Sequence, residues 1–237
     1  MRGMGIATGS IAASVAAVRE RMERAAGRAK RRAEEITLVG ISKGVSADRI
    51  REAFLAGVRH FGESRVQEWE SKAPHLEDLD ATWHLVGHLQ RNKAARAVDL
   101  FHAVDSLDSL PLAERLDRAA GEGRRMPVLL EVRLDPASSK TGCDPDDLPR
   151  LAEGLLLLPH LEWRGLMTVP APALHPEQAR PPFRRLRELR DELARRLDWP
   201  LPELSMGMSN DFEVAIEEGA TQIRVGTALF GYRAAAP

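Results

Sequence analysis

Three groups of residues, far apart in the chain, could do chemistry together: a lysine and two glycine turns. Lys43 follows the apolar run Ile36-Thr37-Leu38-Val39-Gly40-Ile41 and precedes a glycine-led turn into a helix that Ser46 would cap. If that run is a strand, the amine stands at its C-terminal mouth. Partial loss of water there would lower its pKa and make it a usable Schiff-base amine. Taken alone, Lys43 would be read as a solvated loop lysine. At the other end of the chain lie Leu204-Ser205-Met206-Gly207-Met208-Ser209-Asn210-Asp211 and Ile223-Arg224-Val225-Gly226-Thr227. Gly207 and Gly226 would let backbone N–H groups approach an anion closely, and Ser205 and Thr227 offer hydroxyls. Either turn alone would be an ordinary glycine turn, with Ser209 or Asn210 merely capping the next helix. Asn210 and Glu213 are spaced as a capping box.

Arg224 lies two residues before Gly226, so on a strand both face the same way. If that face is interior, a permanently charged donor points inward. Opposite a pyridine nitrogen it would donate a hydrogen bond and disfavour ring protonation, where a carboxylate would do the reverse. An arginine there therefore implies a muted catalyst. The alternative is an arginine reaching a surface carboxylate.

These residues need a scaffold that gathers strand ends. Short apolar runs alternate with amphipathic stretches. Strands are predicted at Ile36–Ser42, Val58–Gly62, Trp83–His88, Phe101–Val104, Val128–Leu134, Leu161–Val169, Glu203–Met206 and Gln222–Val225. Helices fall between them, among them Ala47–Ala56, Leu107–Ala120, Phe183–Leu197 and Asp211–Glu218. Alternation of this kind implies a parallel sheet, and eight strands close a (β/α)8 barrel, with a doubly wound open sheet as the rival. Barrels of about 250 residues are common as one domain, which suits the 237 residues here. Phosphate in such barrels is often held by the loops after strands seven and eight. A further N-terminal helix runs from Ser10 to about Arg32, giving a helical segment over 1–35 packed on a barrel over 36–237. Pro170–Pro182 reads as one βα loop, and no second domain is expected after residue 231.

Composition narrows the function classes. A formal net charge of −1 gives nothing to draw the chain to nucleic acid or an anionic membrane. The single cysteine, Cys143, excludes an internal disulfide and a cysteine-based metal cluster. No stretch approaches the roughly 20 apolar residues that span a bilayer, and the apolar run Ile11–Val18 continues into a charged helix, so a cytoplasmic protein is expected. His84 and His88 are four apart, but on a strand that spacing does not suit a metal. The arginines of 183–197 interleave with acids as a solvated helix face with i, i+4 pairs.

The chain resembles the pyridoxal phosphate homeostasis protein family, single-domain relatives of the alanine racemase N-terminal barrel. The segments that carry the resemblance are Leu38 to Lys43, Phe61-Gly62-Glu63, Trp83 to Lys93, Ser139 to Gly142, Arg164 to Met167, Leu204 to Asp211 and Arg224 to Gly231. The resemblance implies pyridoxal 5′-phosphate (PLP) held as an aldimine on Lys43, with Arg224 facing the pyridine nitrogen. It implies Ser205, Gly226 and Thr227 as phosphate ligands, with Met206 and Gly207 lining the same turn. It also implies a non-catalytic role in PLP homeostasis and delivery to PLP-dependent apo-enzymes, and a monomer. Ser64-Arg65 replaces the family's usual Asn-Tyr. Gly44-Val45-Ser46 replaces Thr-Lys-Pro, which implies a looser turn after Lys43. Two other functions fit the same residues. One is a weak PLP-dependent racemase or lyase, with Lys43 as base on one face and Cys143, a histidine or water on the other. The other is a cofactor-free barrel enzyme in which Lys43 forms a Schiff base with a phosphorylated sugar. Lys140 could reach the mouth or be solvated, and Tyr232 is expected to pack or lie on the surface.

Overall fold

The computed structural model describes residues 10–134, 141–171 and 174–231. Lys140 and Tyr232 lie outside the described residues. Among these residues eight parallel strands close into a barrel: β1 (Thr37–Ile41), β2 (His60–Glu63), β3 (Thr82–Leu85), β4 (Ala103–Leu107), β5 (Met126–Glu131), β6 (Leu161–Met167), β7 (Glu203–Ser205) and β8 (Gln222–Val225). Pairing of β1 with β8, from Thr37 opposite Gln222 to Gly40 opposite Val225, closes it and excludes the open sheet.

Helices α2 (Ala47–Leu55), α3 (Val66–Lys72), α4 (Ala94–Leu100), α5 (Leu110–Ala120), α6 (Leu148–Leu155), α7 (Arg180–Leu197) and α8 (Phe212–Glu217) follow β1 to β7 in order. A single turn, α9 (Thr227–Phe230), follows β8. The helix α7 begins three residues earlier than the sequence implies. Pro181 and Pro182 fall in its first turn, where a missing N–H costs nothing.

The main apolar core lies between the strands and the helices. It includes Ile50, Phe61, Trp83, Leu85, Val104, Leu112, Leu166 and Phe212. Trp83 stacks on Trp69 of α3 with ring centroids 3.8 Å apart, and the Phe61 ring centroid lies 5.1 Å from it. Such aromatic pairs add about 0.5–1.5 kcal/mol beyond their buried area. The N-terminal helix α1 (Ile11–Arg28) starts at Ser10, whose hydroxyl accepts from the Ala13 N–H at 3.2 Å. Its stripe Ile11, Val15, Val18, Met22 and Ala25 is buried, and α1 packs on α2, α8 and α9.

The arginines of α7 do more than line a solvated face. Arg184 and Arg187 pair with Glu218 after α8, Arg196 with Glu153 of α6, and Arg190 donates to the Leu201 carbonyl. Together with Arg180, which bridges Glu177, Glu217 and Glu218, they clamp neighbouring elements.

Candidate functional site at the barrel mouth

The barrel interior is built from every second residue of each strand, and much of it is polar. A Cβ built on Gly62 would meet Ile41, Val39 and Val86, and one on Gly226 would lie 3.4 Å from Ile41 Cβ. These positions therefore share the interior face. Arg224 and Gln222 precede Gly226 on that face of β8. Arg224 is fully interior, with 4% of its surface exposed. Its Nη1 donates to Ser205 Oγ at 2.6 Å and its Nη2 to the Thr168 carbonyl at 2.8 Å. Burial pulls its pKa below the ordinary arginine value, opposed by Asp105, Glu131 and Asp211. The group remains a cation, since arginine does not lose its proton in proteins.

Lys43 sits in the turn directly after β1, and the contact of Ile41 with Gly226 brings that turn beside the end of β8. It is exposed, where the sequence pointed to partial burial. Ser46 takes the N-cap position of α2 without a side-chain capping bond. The turn is tied from α3 on both sides of Lys43. Lys72 Nζ donates to the Ser42 carbonyl at 2.9 Å, and the Gly44 N–H donates to Glu68. The looser turn expected from Gly44-Val45-Ser46 is thus braced from outside.

Beside that turn is a partly buried ionic group, centred on the buried Glu63, that the sequence reading missed. Lys72 Nζ also contacts Glu63 Oε1 at 2.9 Å and Glu68 Oε1 at 2.6 Å, and Ser42 Oγ donates to Glu63 Oε1 at 2.8 Å. Burial raises the Glu63 pKa against the opposing Lys72 and Ser42 contacts. The Glu68–Lys72 spacing of four was a legible helical pair, but nothing in the sequence joined either to Glu63.

The turn after β7 and the end of β8 meet. Gly207 has φ +95°, and a Cβ there would stand 2.5 Å from Ala215 Cβ and 2.9 Å from Phe212 Cα. Only glycine fits, because both the backbone conformation and the close approach of α8 forbid a side chain. The Gly207 carbonyl accepts from the Arg224 N–H at 2.9 Å. Ser209 Oγ accepts from the Gly226 N–H at 3.3 Å and the Ala228 N–H at 3.2 Å. Two backbone donors therefore converge on one oxygen beside Thr227. The sequence had offered Ser209 only as a helix cap.

Asn210 does not cap α8, as the capping-box spacing suggested. That position is Asp211, whose carboxylate accepts from the Met208 N–H at 2.6 Å, and Glu213 instead pairs with Arg21 of α1 at 3.0 Å.

Of the residues singled out from sequence, the fold brings Lys43, Gly207, Arg224, Gly226 and Thr227 to one end of the barrel. Ser205 lies deeper: its hydroxyl is fully buried and accepts from both Arg224 and Gln222 Nε2. Met206 belongs to the apolar core between strands and helices. Glu131, unflagged by the sequence, closes the far wall of the mouth. It accepts from Thr141 Oγ1 at 2.9 Å, and its pKa is raised by burial against that bond. Cys143 is buried, and burial pushes its thiol up to about 12, which removes it as an acid/base group near neutral pH.

The sequence profile of the alanine racemase N-terminal domain matches residues 13–234. The chain is 46% identical over 217 residues to the pyridoxal phosphate homeostasis protein of Aquifex aeolicus, covering 91% of this chain and 95% of that one. This chain belongs to the pyridoxal phosphate homeostasis protein family. The family's Pseudomonas aeruginosa protein is 43% identical over 225 residues, covering 94% of this chain and 96% of its own. Among solved structures, PipY of Synechococcus elongatus, determined with PLP bound, is 44% identical with a TM-score of 0.83, covering 93% of this chain and 100% of that one. An alanine racemase of Clostridium difficile shares only the fold: 12% identity, a TM-score of 0.73, and 57% of its length covered. Family membership accounts for the closed barrel. No helix among the described residues is long and apolar enough to cross a membrane.

Proposed function

We propose that this chain binds PLP at the barrel mouth and acts in PLP homeostasis as a carrier without turnover of its own. The observation that carries the reading is Arg224, a buried cation on neutral acceptors just before the converging N–H groups of Gly226 and Ala228. The donor set suits a phosphorylated pyridine aldehyde. Lys43 supplies an amine for the aldehyde, as an aldimine. Gly226, Thr227 and Ser209 supply donors and a hydroxyl for the phosphate, with Gly207 opening the space beside them. Arg224 faces the ring nitrogen, and Ser205 holds Arg224 in place.

PLP, when bound, supplies an electron sink whose strength depends on ring protonation. Arg224 can only donate to that nitrogen and repels a proton there, so it weakens the sink. This favours carriage over racemase or lyase chemistry, and the inert thiol of Cys143 removes one candidate for a second acid/base group. The names of the relatives and the PLP-bound PipY structure support the cofactor and the homeostasis role. In this reading the chain works as a cytoplasmic monomer and hands PLP to apo-enzymes that depend on it.

The test is borohydride reduction of PLP-loaded protein followed by peptide mapping. A reduced pyridoxyl group on the Lys43 peptide, with PLP passing to an added apo-enzyme and no saturable amino acid turnover, is the expected result. Saturable turnover lost in Lys43→Ala would replace the carrier with an enzyme. Failure to take up PLP would leave a Schiff base with a phosphorylated sugar as the reading to pursue.

A further inference from the structure

Arg224 is the upper end of a line of hydrogen bonds that crosses the barrel interior to its opposite, N-terminal end. Ser205 Oγ, which accepts from Arg224, also accepts from Gln222 Nε2 at 2.9 Å. The same Gln222 amide nitrogen donates to Asp105 Oδ2 on β4. Both Asp105 oxygens lie 3.2 Å from His84 Nδ1, and His84 Nε2 lies 3.0 Å from His60 Nδ1. All of these side chains but His60 are buried. His60 faces a floor cavity of about 180 Å³ lined also by Thr37, His102, Arg164 and Glu203. With Thr37 it also lines a 380 Å³ groove beside α1, so the line ends near solvent.

The geometry limits the protonation states. With Nδ1 of His84 donating to Asp105, the contact between His84 Nε2 and His60 Nδ1 has room for one proton. Both rings cannot be cations without turning two N–H groups at each other. Burial opposes the His84 cation, but Asp105 outweighs it and raises the pKa; burial and His84 together bring His60 down to about 4. The other charged or titratable groups around His84 are Glu203 on β7, Arg164 on β6 and His102 just before β4, and those around Arg224 are Asp105, Glu131 and Asp211.

We infer that Gln222, Asp105 and His84 are positioning residues for Arg224, and that protonation of the His60–His84 floor is felt at the ring that Arg224 faces. With His84 protonated, Asp105 is neutralised locally and Arg224 presents its full charge upward. When His84 loses its proton, the Asp105 anion acts through Gln222 and Ser205 on the guanidinium and weakens its field at the mouth. This inference rests on the reading of Arg224 as the partner of the PLP ring nitrogen.

The experiment is a pH titration of the visible spectrum of the PLP-loaded protein, in wild type, in Arg224→Gln and in the double variant His84→Gln/Asp105→Asn. The double change removes both charges together, so neither ion is left buried alone. Thermal denaturation is followed in parallel. The expected result is a wild-type spectral step that is lost in the folded double variant, which lacks the titrating His84–Asp105 pair. An unchanged profile there overturns the inference. Should the double variant not fold, His60→Gln at the solvent end serves the same comparison: a displaced midpoint supports the inference and an unchanged one overturns it. A wild type with no band, or an Arg224→Gln spectrum identical to wild type, marks failure of the cofactor reading itself, and the inference falls with it. Imidazole ¹⁵N NMR of the PLP-free protein adds a cofactor-independent check. One ring protonated near pH 6 with the other neutral is expected; two independent titrations near the ordinary histidine value would overturn it.

Discussion

The Arg224 guanidinium donates to the Ser205 hydroxyl at 2.6 Å, joining β8 to β7 inside the barrel. Ser205 accepts from Gln222 as well, so one small hydroxyl holds two buried donors. This makes Ser205 a support for the arginine.

Ser205→Ala should therefore act on stability. Two buried donors lose their acceptor, at about 1–3 kcal/mol for each. Urea unfolding should show that loss, and retention of PLP and of pyridoxal should fall together. A stable variant that loses PLP alone would make Ser205 a phosphate contact.

Ser209→Ala and Thr227→Ala should act on the phosphate. Each removes one hydrogen-bonding hydroxyl beside the Gly226 and Ala228 N–H groups. A hydrogen bond to a charged oxygen is worth about 1.5–3 kcal/mol, so PLP affinity should drop roughly 10- to 100-fold while pyridoxal is little affected. Equal loss for both ligands, measured by equilibrium dialysis, would contradict the assignment.

Gly207→Ala should destabilise the fold. The added Cβ would collide with Ala215 and Phe212 in a backbone conformation that alanine resists. Overpacking and strain together cost about 2–4 kcal/mol, or roughly 5–15 °C in Tm for a chain of this size. A Tm within about 2 °C of wild type would show that α8 shifts to make room.

Acid should expose the floor histidines. His60 falls from the ordinary 6.5 to about 4 in the folded protein, through burial and the neighbouring His84. Between those values the unfolded chain takes a proton that the folded one refuses, so stability is lost as pH falls from about 6.5 to about 4. His84 has the opposite sign: its raised pKa gives stability below about 6.5 that is lost as pH rises through its folded value. In His60→Gln the acid-side fall in the urea midpoint should be smaller. A parallel fall in both proteins would contradict the assignment.

The outer half of the fold was legible because strand residues facing the helices are apolar, from Leu38 to Ile223. The inner half was not. Asp105 and Ser106 look like the start of a loop, so the fourth strand was expected at Phe101–Val104 instead of Ala103–Leu107, yet both residues are buried. The third strand, expected to reach His88, stops at Leu85. Gly87 then packs on the Ser64 backbone, where any Cβ would lie 2.4 Å from a carbonyl oxygen. The His84–Asp105–Gln222 line escaped notice because it joins β3, β4 and β8 across the barrel, a contact with no sequence spacing. Lys43, Gly207, Gly226 and Thr227 could be singled out because glycine turns and a post-strand lysine leave local signatures, and Arg224 because it stands two residues before Gly226 on one strand.

The most direct measurement is the visible absorption spectrum of the purified protein, with and without added PLP, in wild type and Lys43→Ala. A band that borohydride bleaches is expected in wild type and is expected to be missing in Lys43→Ala. The band should persist in Lys72→Ala where that protein folds, since Lys72 braces the turn and does not carry the cofactor. No band with excess PLP, or a band retained in Lys43→Ala, would contradict an aldimine on Lys43.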